Sequence, residues 1–241
     1  MTNPRRMQMA RSGVSTCTTA NGNEVLLIHS DTTTDGSTTF TDSTGTHTMT
    51  SNGGAAHDTA QAKFGESSML FDGADDYVTC PAHANFNFGS GLWSIDFWYR
   101  SADSLLNSLV CLGKWDVVDG PVTIFQSDDG DLAVNYNLST GRIFNESAGS
   151  TAIDTGAWVH IAVARTTSTT LKAFINGTED AGQAETVDSG ATMTDLATPV
   201  SIGQMLGRSY YLNGWIDEVR IIKGAAPWTS NFTPPEAPYC N

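Results

Sequence analysis

Short runs of β-favouring residues, separated by turn residues, recur along almost the whole chain. The clearest run is 92–100, in which Trp93, Ile95, Phe97 and Tyr99 alternate with other residues. Alternation with a period of two is typical of a β-strand. About a dozen such runs, with no helical stretch between them, predict an all-β protein of two antiparallel sheets packed face to face.

Residues 215–222 are predicted to form the closing strand. Strict alternation places Trp215, Val219 and Ile221 on one face of that strand. Prolines at positions 227, 234 and 235 prevent regular ladder bonding beyond it. The tail is therefore predicted to run extended over the surface, held there by Trp228 and Phe232.

Composition excludes several classes of function. The net charge of −14 argues against tracking nucleic-acid phosphates, which needs a basic face. No apolar run of about 18 residues is present, so no membrane-spanning segment is expected. The first residues, MTNPRRMQMARSGVS, have no apolar segment of the secretory type. We therefore expect synthesis in a cytoplasm.

The first 22 residues differ from the rest, being polar and small with three early arginines. Arg5, Arg6 and Arg11 make this segment a candidate docking arm on an acidic protein, although a frayed terminus would have the same composition. Residues 23–241 show no internal repeat and no linker. They are predicted to form one domain.

Four segments in order resemble laminin-G-like domains, which are concanavalin A-like jelly rolls. They are VLLIHSD (25–31), SMLFDGADDYV (68–78), AWVHIAVARTTSTTLKAFING (157–177) and LNGWIDEVRIIKGAAPWTSNFTPP (212–235). The chain is most similar to such domains in bacteriophage virion structural proteins. The resemblance implies a two-sheet antiparallel jelly-roll sandwich whose first and last strands pair.

The resemblance also bears on the cysteines, because the chain ends lie close together in jelly rolls. That proximity would allow a Cys17–Cys240 bridge, whereas cytoplasmic synthesis disfavours disulfides. Cys80 and Cys111 lie in strand-like runs and are expected to be buried thiols. The sequence leaves the disulfide status of all four open.

A structural calcium ion is the best candidate for a cofactor. Asp31, Asp35 and Asp42 place oxygen ligands along one loop with a Gly turn, which partly matches EF-hand spacing. The resemblance implies a calcium ion near the paired end strands, which adds Asp217 to the set. The alternative is that these aspartates only form turns and caps. The acidic turn 72–76 is expected to be a simple hairpin turn with solvated carboxylates.

A sugar-binding surface needs aromatic faces flanked by amide, carboxylate or hydroxyl groups. Three places in or beside predicted loops offer that combination. The candidate ligand-binding residues are Trp115 with Asp116, Tyr136 with Asn137, and Tyr210 with Tyr211. Each aromatic residue could instead lie at the edge of the core.

Catalytic motifs are missing from the sequence. No GxSxG, HExxH or Walker motif occurs, and no strand carries the alternating acidic residues of glucanases on this scaffold. We therefore expect a protein that is not an enzyme.

The leading hypothesis is a phage virion structural protein that decorates a tail or capsid. It would assemble with copies of itself and other virion proteins and could bind cell-surface glycans. The alternative is a free carbohydrate-binding lectin or adhesin with a structural calcium ion. A polysaccharide lyase or hydrolase on the same scaffold is the third hypothesis.

Overall fold

A computed structural model of the chain describes residues 17–18, 22–114, 119–145, 151–195 and 197–240. Regular structure in these residues is extended, apart from single 3-10 turns at Ala84–Phe86 and Ala181–Gln183. No helix in the described part has the length and apolar character that a membrane crossing requires. In chain order the strands are β1 (Glu24–Ile28), β2 (Thr50–Asn52), β3 (Ala56–Asp58), β4 (Ser68–Asp72), β5 (Tyr77–Cys80), β6 (Trp93–Ser101), β7 (Asn107–Lys114), β8 (Asp119–Gln126), β9 (Leu132–Leu138), β10 (Gly141–Asn145), β11 (Val159–Thr167), β12 (Thr170–Ile175), β13 (Thr178–Glu179), β14 (Glu185–Thr186), β15 (Val200–Ile202) and β16 (Asn213–Lys223).

The strands form two sheets, and every pair of neighbouring strands is antiparallel. The larger sheet has the order β13-β12-β11-β6-β16-β4-β3, with β1 on β16 and β14 on β12. The smaller sheet has the order β10-β9-β8-β7-β15-β5-β2. This arrangement confirms the predicted all-β, two-sheet sandwich.

The strand β6 confirms the alternation that the sequence shows. Trp93, Ile95, Phe97 and Tyr99 are fully buried in the core between the sheets. On the opposite face Trp98 is also covered, because the ammonium of Lys63 lies 3.7 Å from the centroid of its ring. The larger sheet therefore carries a second packed layer on its outer face.

The first and last strands pair as predicted, but β16 is not regular. Ile28 lies opposite Val219, whereas the register between β16 and β6 shifts after Asp217. Glu218 there has a φ of 53°, a conformation that costs a residue with a Cβ about 1 kcal/mol. This β-bulge changes the parity of the strand. The prediction that Trp215 shares a face with Val219 and Ile221 is therefore wrong: those two lie in the core with Ile216, and Trp215 does not.

The C-terminal tail runs across the outer face of the larger sheet, and we call residues 225–240 the strap. The rings of Trp228 and Phe232 stack at 4.4 Å, and both pack against His160 of β11. The backbone N–H of Phe232 donates to the carbonyl of Gly177 at 2.8 Å. A Cβ at Gly177 would lie 1.9 Å from the Phe232 carbonyl oxygen, so only glycine allows this close approach. The tail prediction is confirmed.

A disulfide between Cys17 and Cys240 closes the strap onto the N-terminal side of the chain. Beside it Thr18 forms a parallel bridge with Tyr239. Cys80 and Cys111 are buried thiols, as expected. The predicted docking arginines, Arg5, Arg6 and Arg11, lie outside the described residues.

The strap also covers a buried ionic cluster. Arg220 donates from Nε to Asp96 Oδ1 at 3.0 Å and from Nη2 to Oδ2 at 3.3 Å, and the Tyr239 hydroxyl donates to the same carboxylate. Burial alone would raise the pKa of Asp96, but Arg220, with His160 and Tyr239, holds it below the usual range. The cluster is therefore compensated within the protein.

Candidate functional site

Three connecting segments surround an open cavity of about 360 Å³ at one end of the sandwich. They are the turn after β4, the loop between β6 and β7, and the segment that precedes β16. The side chains that matter for its chemistry are Asp72, Asp103, Leu105, Asn107, Tyr210 and Asn213. Loops on a rigid scaffold are the common place for binding residues.

Amide side chains hold the floor of this cavity in place. The backbone N–H of Asn213 donates to Asn107 Oδ1 at 2.8 Å, and Asn213 Nδ2 donates to Asp103 Oδ2 at 2.7 Å. Asn107 Nδ2 donates to Asp103 Oδ1 at 2.9 Å. Both oxygens of Asp103 thus accept hydrogen bonds from amides, which fixes the floor.

The loop between β6 and β7 is tied to the core as well. The Tyr99 hydroxyl donates to Gln126 Oε1 at 2.8 Å, and Gln126 Nε2 donates to the carbonyl of Leu105 at 2.7 Å. Gln126 is fully buried. The cavity wall therefore rests on interior side chains.

The rim of the cavity is apolar. Leu105 is 68% exposed and Tyr210 is 39% exposed, and they are two of the three large hydrophobic residues that are exposed in the described part of the chain. Tyr211 also lines the cavity, and its ring lies 6.4 Å from that of Tyr77. An apolar rim above a polar floor suits a ligand that has one apolar face and several hydroxyl groups.

The turn after β4 needs glycine to form this wall. Gly73 has a φ of 80°, which favours glycine, and a Cβ there would lie 2.9 Å from the Cβ of Asn213. A larger residue would push the turn away from the start of β16. The Asp-Gly sequence therefore sets the width of the cavity at this point.

The same turn carries a group of carboxylates. Asp72, Asp75 and Asp76 can place ligand oxygens within 4.8 Å of one another, and no other such group of three His, Cys, Asp or Glu residues occurs in the described parts of the chain. Burial raises the pKa of Asp76, and Asp72 and Asp75 add to the rise while the Gly54 N–H opposes it. These oxygens could hold a hard cation.

The calcium set predicted from the sequence does not converge. Asp35 accepts from the N–H of Thr59 at 3.0 Å, and Asp42 is 4% exposed and caps its own loop. The carboxylate of Asp42 accepts from the backbone N–H groups of Leu27, Thr44, Thr46 and His47. Asp42 therefore acts as a cap residue, whereas Asp35 ties its turn to Thr59 through Oδ1 alone.

Asp31 and Asp217 both bind the loop between β3 and β4. Asp31 accepts from the N–H of Glu66 at 2.6 Å, and Asp217 accepts from the N–H groups of Lys63 and Phe64 at 2.8 and 3.2 Å. Burial raises the pKa of Asp217 well above its usual value, and repulsion from Glu218 adds to this. No three of Asp31, Asp35, Asp42 and Asp217 bring ligand oxygens within 4.8 Å of one another, so the four do not form one shared site. A calcium ion between Asp31 and Asp217 stays a prediction.

The predicted sugar-binding residues separate into three groups. Tyr210 and Tyr211 line the cavity, as described above, and Trp115 and Asp116 lie outside the described residues. Tyr136 is fully buried beside Trp93, and Asn137 is buried with its amide donating to the Gly120 carbonyl at 2.9 Å. Burial corrects the prediction for Tyr136 and Asn137, which have no access to a ligand.

The sequence interpretation missed the rest of the cavity. Asp103, Asn107 and Asn213 are ordinary loop residues in sequence, and their convergence depends on the pairing of β6 with β16. One available signal was Leu105-Leu106, an apolar pair inside the polar stretch SADSLLNS. An apolar pair in such a stretch indicates a packed or binding role.

The two antiparallel sheets and their strand order define a concanavalin A-like class of β-protein. The model of the concanavalin A-like lectin/glucanases superfamily matches residues 72–229, and the chain belongs to that family. No curated protein sequence is significantly similar to it.

Solved structures with the same fold include two toxin binding domains. The binding domain of Paraclostridial Mosquitocidal Protein 1 has a TM-score of 0.65 and 15% identity, covering 86% of this chain and 50% of that one. The binding domain of Botulinum Neurotoxin DC, in complex with SialylT, has a TM-score of 0.59 and 12% identity, covering 85% and 49%. The chain thus spans about half the length of these toxin domains.

Domain 4 of AbnA, a GH43 extracellular arabinanase from Geobacillus stearothermophilus, has a TM-score of 0.60. It was solved in complex with arabinotriose, is 22% identical, and the match covers 84% of this chain and 93% of that domain. At such identities the three likenesses show a shared fold. None of the three is a virion protein.

Proposed function

We propose that this protein is a carbohydrate-binding module that takes a glycan into the cavity between the β4 turn, the β6–β7 loop and the segment before β16. The observation that carries the proposal is the exposed rim of Leu105 and Tyr210 above the amide and carboxylate floor. Apolar faces of sugar rings pack on such rims, while hydroxyl groups bind the polar floor. The arabinotriose complex of the AbnA domain supports this proposal on the same fold.

Binding to an array of oligosaccharides, followed by calorimetry on the best ligand, tests the proposal. Leu105→Ala and Tyr210→Ala are expected to weaken binding about tenfold each, which corresponds to ~1.4 kcal/mol. Leu92→Ala is the matched control, because Leu92 is exposed but lies at the other end of β6, about 30 Å away. Absence of glycan binding, or equal loss in the control, would refute the proposal.

Calcium at Asp72, Asp75 and Asp76 is part of the proposal. A cation there would neutralise the mutual repulsion of the three carboxylates and order the turn beside the cavity. Because a ligand that binds only the folded state stabilises it, calcium should raise the melting temperature and a chelator should reverse the rise. Asp75→Asn should abolish that shift, whereas Asp35→Asn should not.

We also propose that the site binds its ligand without turning it over. Amide groups of Asn107 and Asn213 donate to both oxygens of Asp103 and fix this carboxylate in the floor, which suits binding of sugar hydroxyl groups. Prolonged incubation with each bound oligosaccharide should release no new reducing ends. Product formation that Asp103→Asn abolishes would support the lyase or hydrolase hypothesis instead.

The virion role remains a second candidate, and it rests on the resemblance of the C-terminal segment to phage structural domains. It would place this protein on a particle, in several copies, with Arg5, Arg6 and Arg11 docking on neighbouring proteins. Mass spectrometry of purified particles from the source tests this role. Detection of the chain in stoichiometric amounts would support it, and absence would leave the free module.

A further inference from the structure

We infer that the cavity selects glycans by charge, favouring sugars that carry a protonated amino group and rejecting uronic or sialic acids. This inference rests on the proposed carbohydrate-binding function and names the substrate class of the same cavity. It follows from the charges that line the cavity and those that adjoin it.

The cavity wall carries acidic groups from two different segments of the chain. Asp72 is the last residue of β4, and Asp103 lies in the loop between β6 and β7. Among the described residues that line the cavity, none is lysine, arginine or histidine. A cleft lined by charges of one sign concentrates ligands of the opposite sign.

In the calcium-free protein, which the chelator of the test below maintains, neighbouring carboxylates strengthen this field. Asp75 and Asp76 each have a carboxylate oxygen within 4.8 Å of one of Asp72. The whole chain has a net charge of −14. Arg208 is the nearest cation in sequence to the lining residue Tyr210, but it does not itself line the cavity. A ligand carboxylate would therefore meet like charge and no cationic partner.

The geometry also leaves room for an ammonium group. Asp72 is exposed, and its Oδ1 accepts the N–H of Ala74 at 2.8 Å. The floor amides of Asn107 and Asn213 hold Asp103 in a fixed position. A protonated amine on a sugar that packs against Tyr210 would be attracted by both carboxylates, whereas a carboxylate would be repelled.

Three trimers of one size test the inference by calorimetry at low salt with a chelator present. They are the glucosamine trimer, the N-acetylglucosamine trimer and the galacturonic acid trimer, which are cationic, neutral and anionic at pH 6. We expect the cationic trimer to bind about tenfold more tightly than the anionic one, with the neutral one between them. The ratio should shrink as salt rises, because salt screens exposed charges.

Two substitutions, each of which removes one negative charge, distinguish an effect of the cavity from an effect of the net charge of the protein. Asp72→Asn should reduce the ratio of the affinity for the cationic trimer to that for the anionic trimer at least about threefold. The side-chain oxygen of the asparagine can still accept the Ala74 N–H. Asp188→Asn, at an exposed position remote from the lining residues in sequence, should keep the wild-type ratio. Equal reduction in both variants would assign the preference to net charge and overturn the inference.

Other outcomes are also decisive. Anionic binding as tight as cationic binding would overturn the inference while leaving the carbohydrate-binding proposal intact. Anionic binding that disappears in Arg208→Gln would do the same and identify Arg208 as an anion contact. If no trimer binds, the inference is wrong, and the oligosaccharide array alone decides the proposed function.

Discussion

Acidic side chains have opposite surroundings in two regions of the molecule. They are buried and paired on the outer face under the strap, and they are exposed at the cavity at the end of the sandwich. Under the strap, Asp96 is fully buried and is matched by Arg220 and by the hydroxyl of Tyr239. At the cavity, Asp72 is exposed and its charge has no cationic neighbour among the lining residues. A buried charge needs a partner of opposite charge or hydrogen bonds within the protein, whereas a charge at an open site is available to a ligand. Substitutions should therefore affect stability at the first region and binding at the second.

The largest loss of stability is expected from Arg220→Met. It leaves Asp96 charged and buried without its partner, which should lower the free energy of unfolding by about 3–5 kcal/mol. Urea denaturation monitored by tryptophan fluorescence measures the loss. The double variant Asp96→Leu with Arg220→Met should lose much less, because it removes both charges. An Arg220→Met variant as stable as wild type would show that Asp96 does not need Arg220 as its charge partner.

The second-largest loss of stability is expected when the disulfide is removed. Cys17 and Cys240 are 223 residues apart in sequence, and cross-links that close long loops restrict the unfolded chain most. The Cys17→Ser, Cys240→Ser double variant should lose about 2–4 kcal/mol of unfolding free energy. The reductant dithiothreitol should destabilise the wild type but leave the double variant unchanged. Equal sensitivity of both to the reductant would count against the bridge.

A pH-dependent effect is expected at Asp217. Its pKa in the folded state is raised above the usual 3.8, so the ionised carboxylate costs stability above the folded-state value. That cost should disappear as pH falls through the raised pKa. Relative to Asp217→Asn, the wild type should therefore gain about 1.4 kcal/mol on acidification for each unit of elevation. Parallel stability curves for the two proteins from neutral pH to pH 4 would contradict the shift.

The smallest effect on stability is expected from Leu105→Ala at the rim. Leu105 is largely exposed, so its truncation should change the unfolding free energy by less than about 0.5 kcal/mol. The same variant should weaken glycan binding, as proposed above. A large loss of stability would show that the rim is part of the core and would remove the contrast between the two regions.

Period-two patterns predicted much of the fold, because a strand with one face in the core must alternate. Trp93, Ile95, Phe97 and Tyr99 face the core for that reason, and the strap follows from the prolines and from Trp228 and Phe232. The bulge at Glu218 could not be predicted, since no sequence rule marks a glutamate for a positive φ. It reversed the parity of Trp215 relative to Val219 and Ile221.

The site was harder to predict than the fold. Tyr136 and Asn137 have polar neighbours in sequence and therefore suggest exposure, yet β9 is buried on both faces. The sequence predicts that Tyr210 and Tyr211 lie in or beside a loop. The residues that line the cavity with them come from about 100 positions earlier, around Asn107. Such convergence depends on the register between β16 and β6, which local patterns do not encode.

The juxtaposition of Cys17 and Cys240 has a topological consequence for engineering. Their Cα atoms are 5.0 Å apart, so a short linker could join the two ends of the described domain. The polypeptide could then be reopened at an exposed turn that does not line the cavity, such as that at Gly190, to give a circular permutant. In that permutant the linker would replace the covalent constraint of the bridge, and stability would no longer depend on the redox state of Cys17 and Cys240.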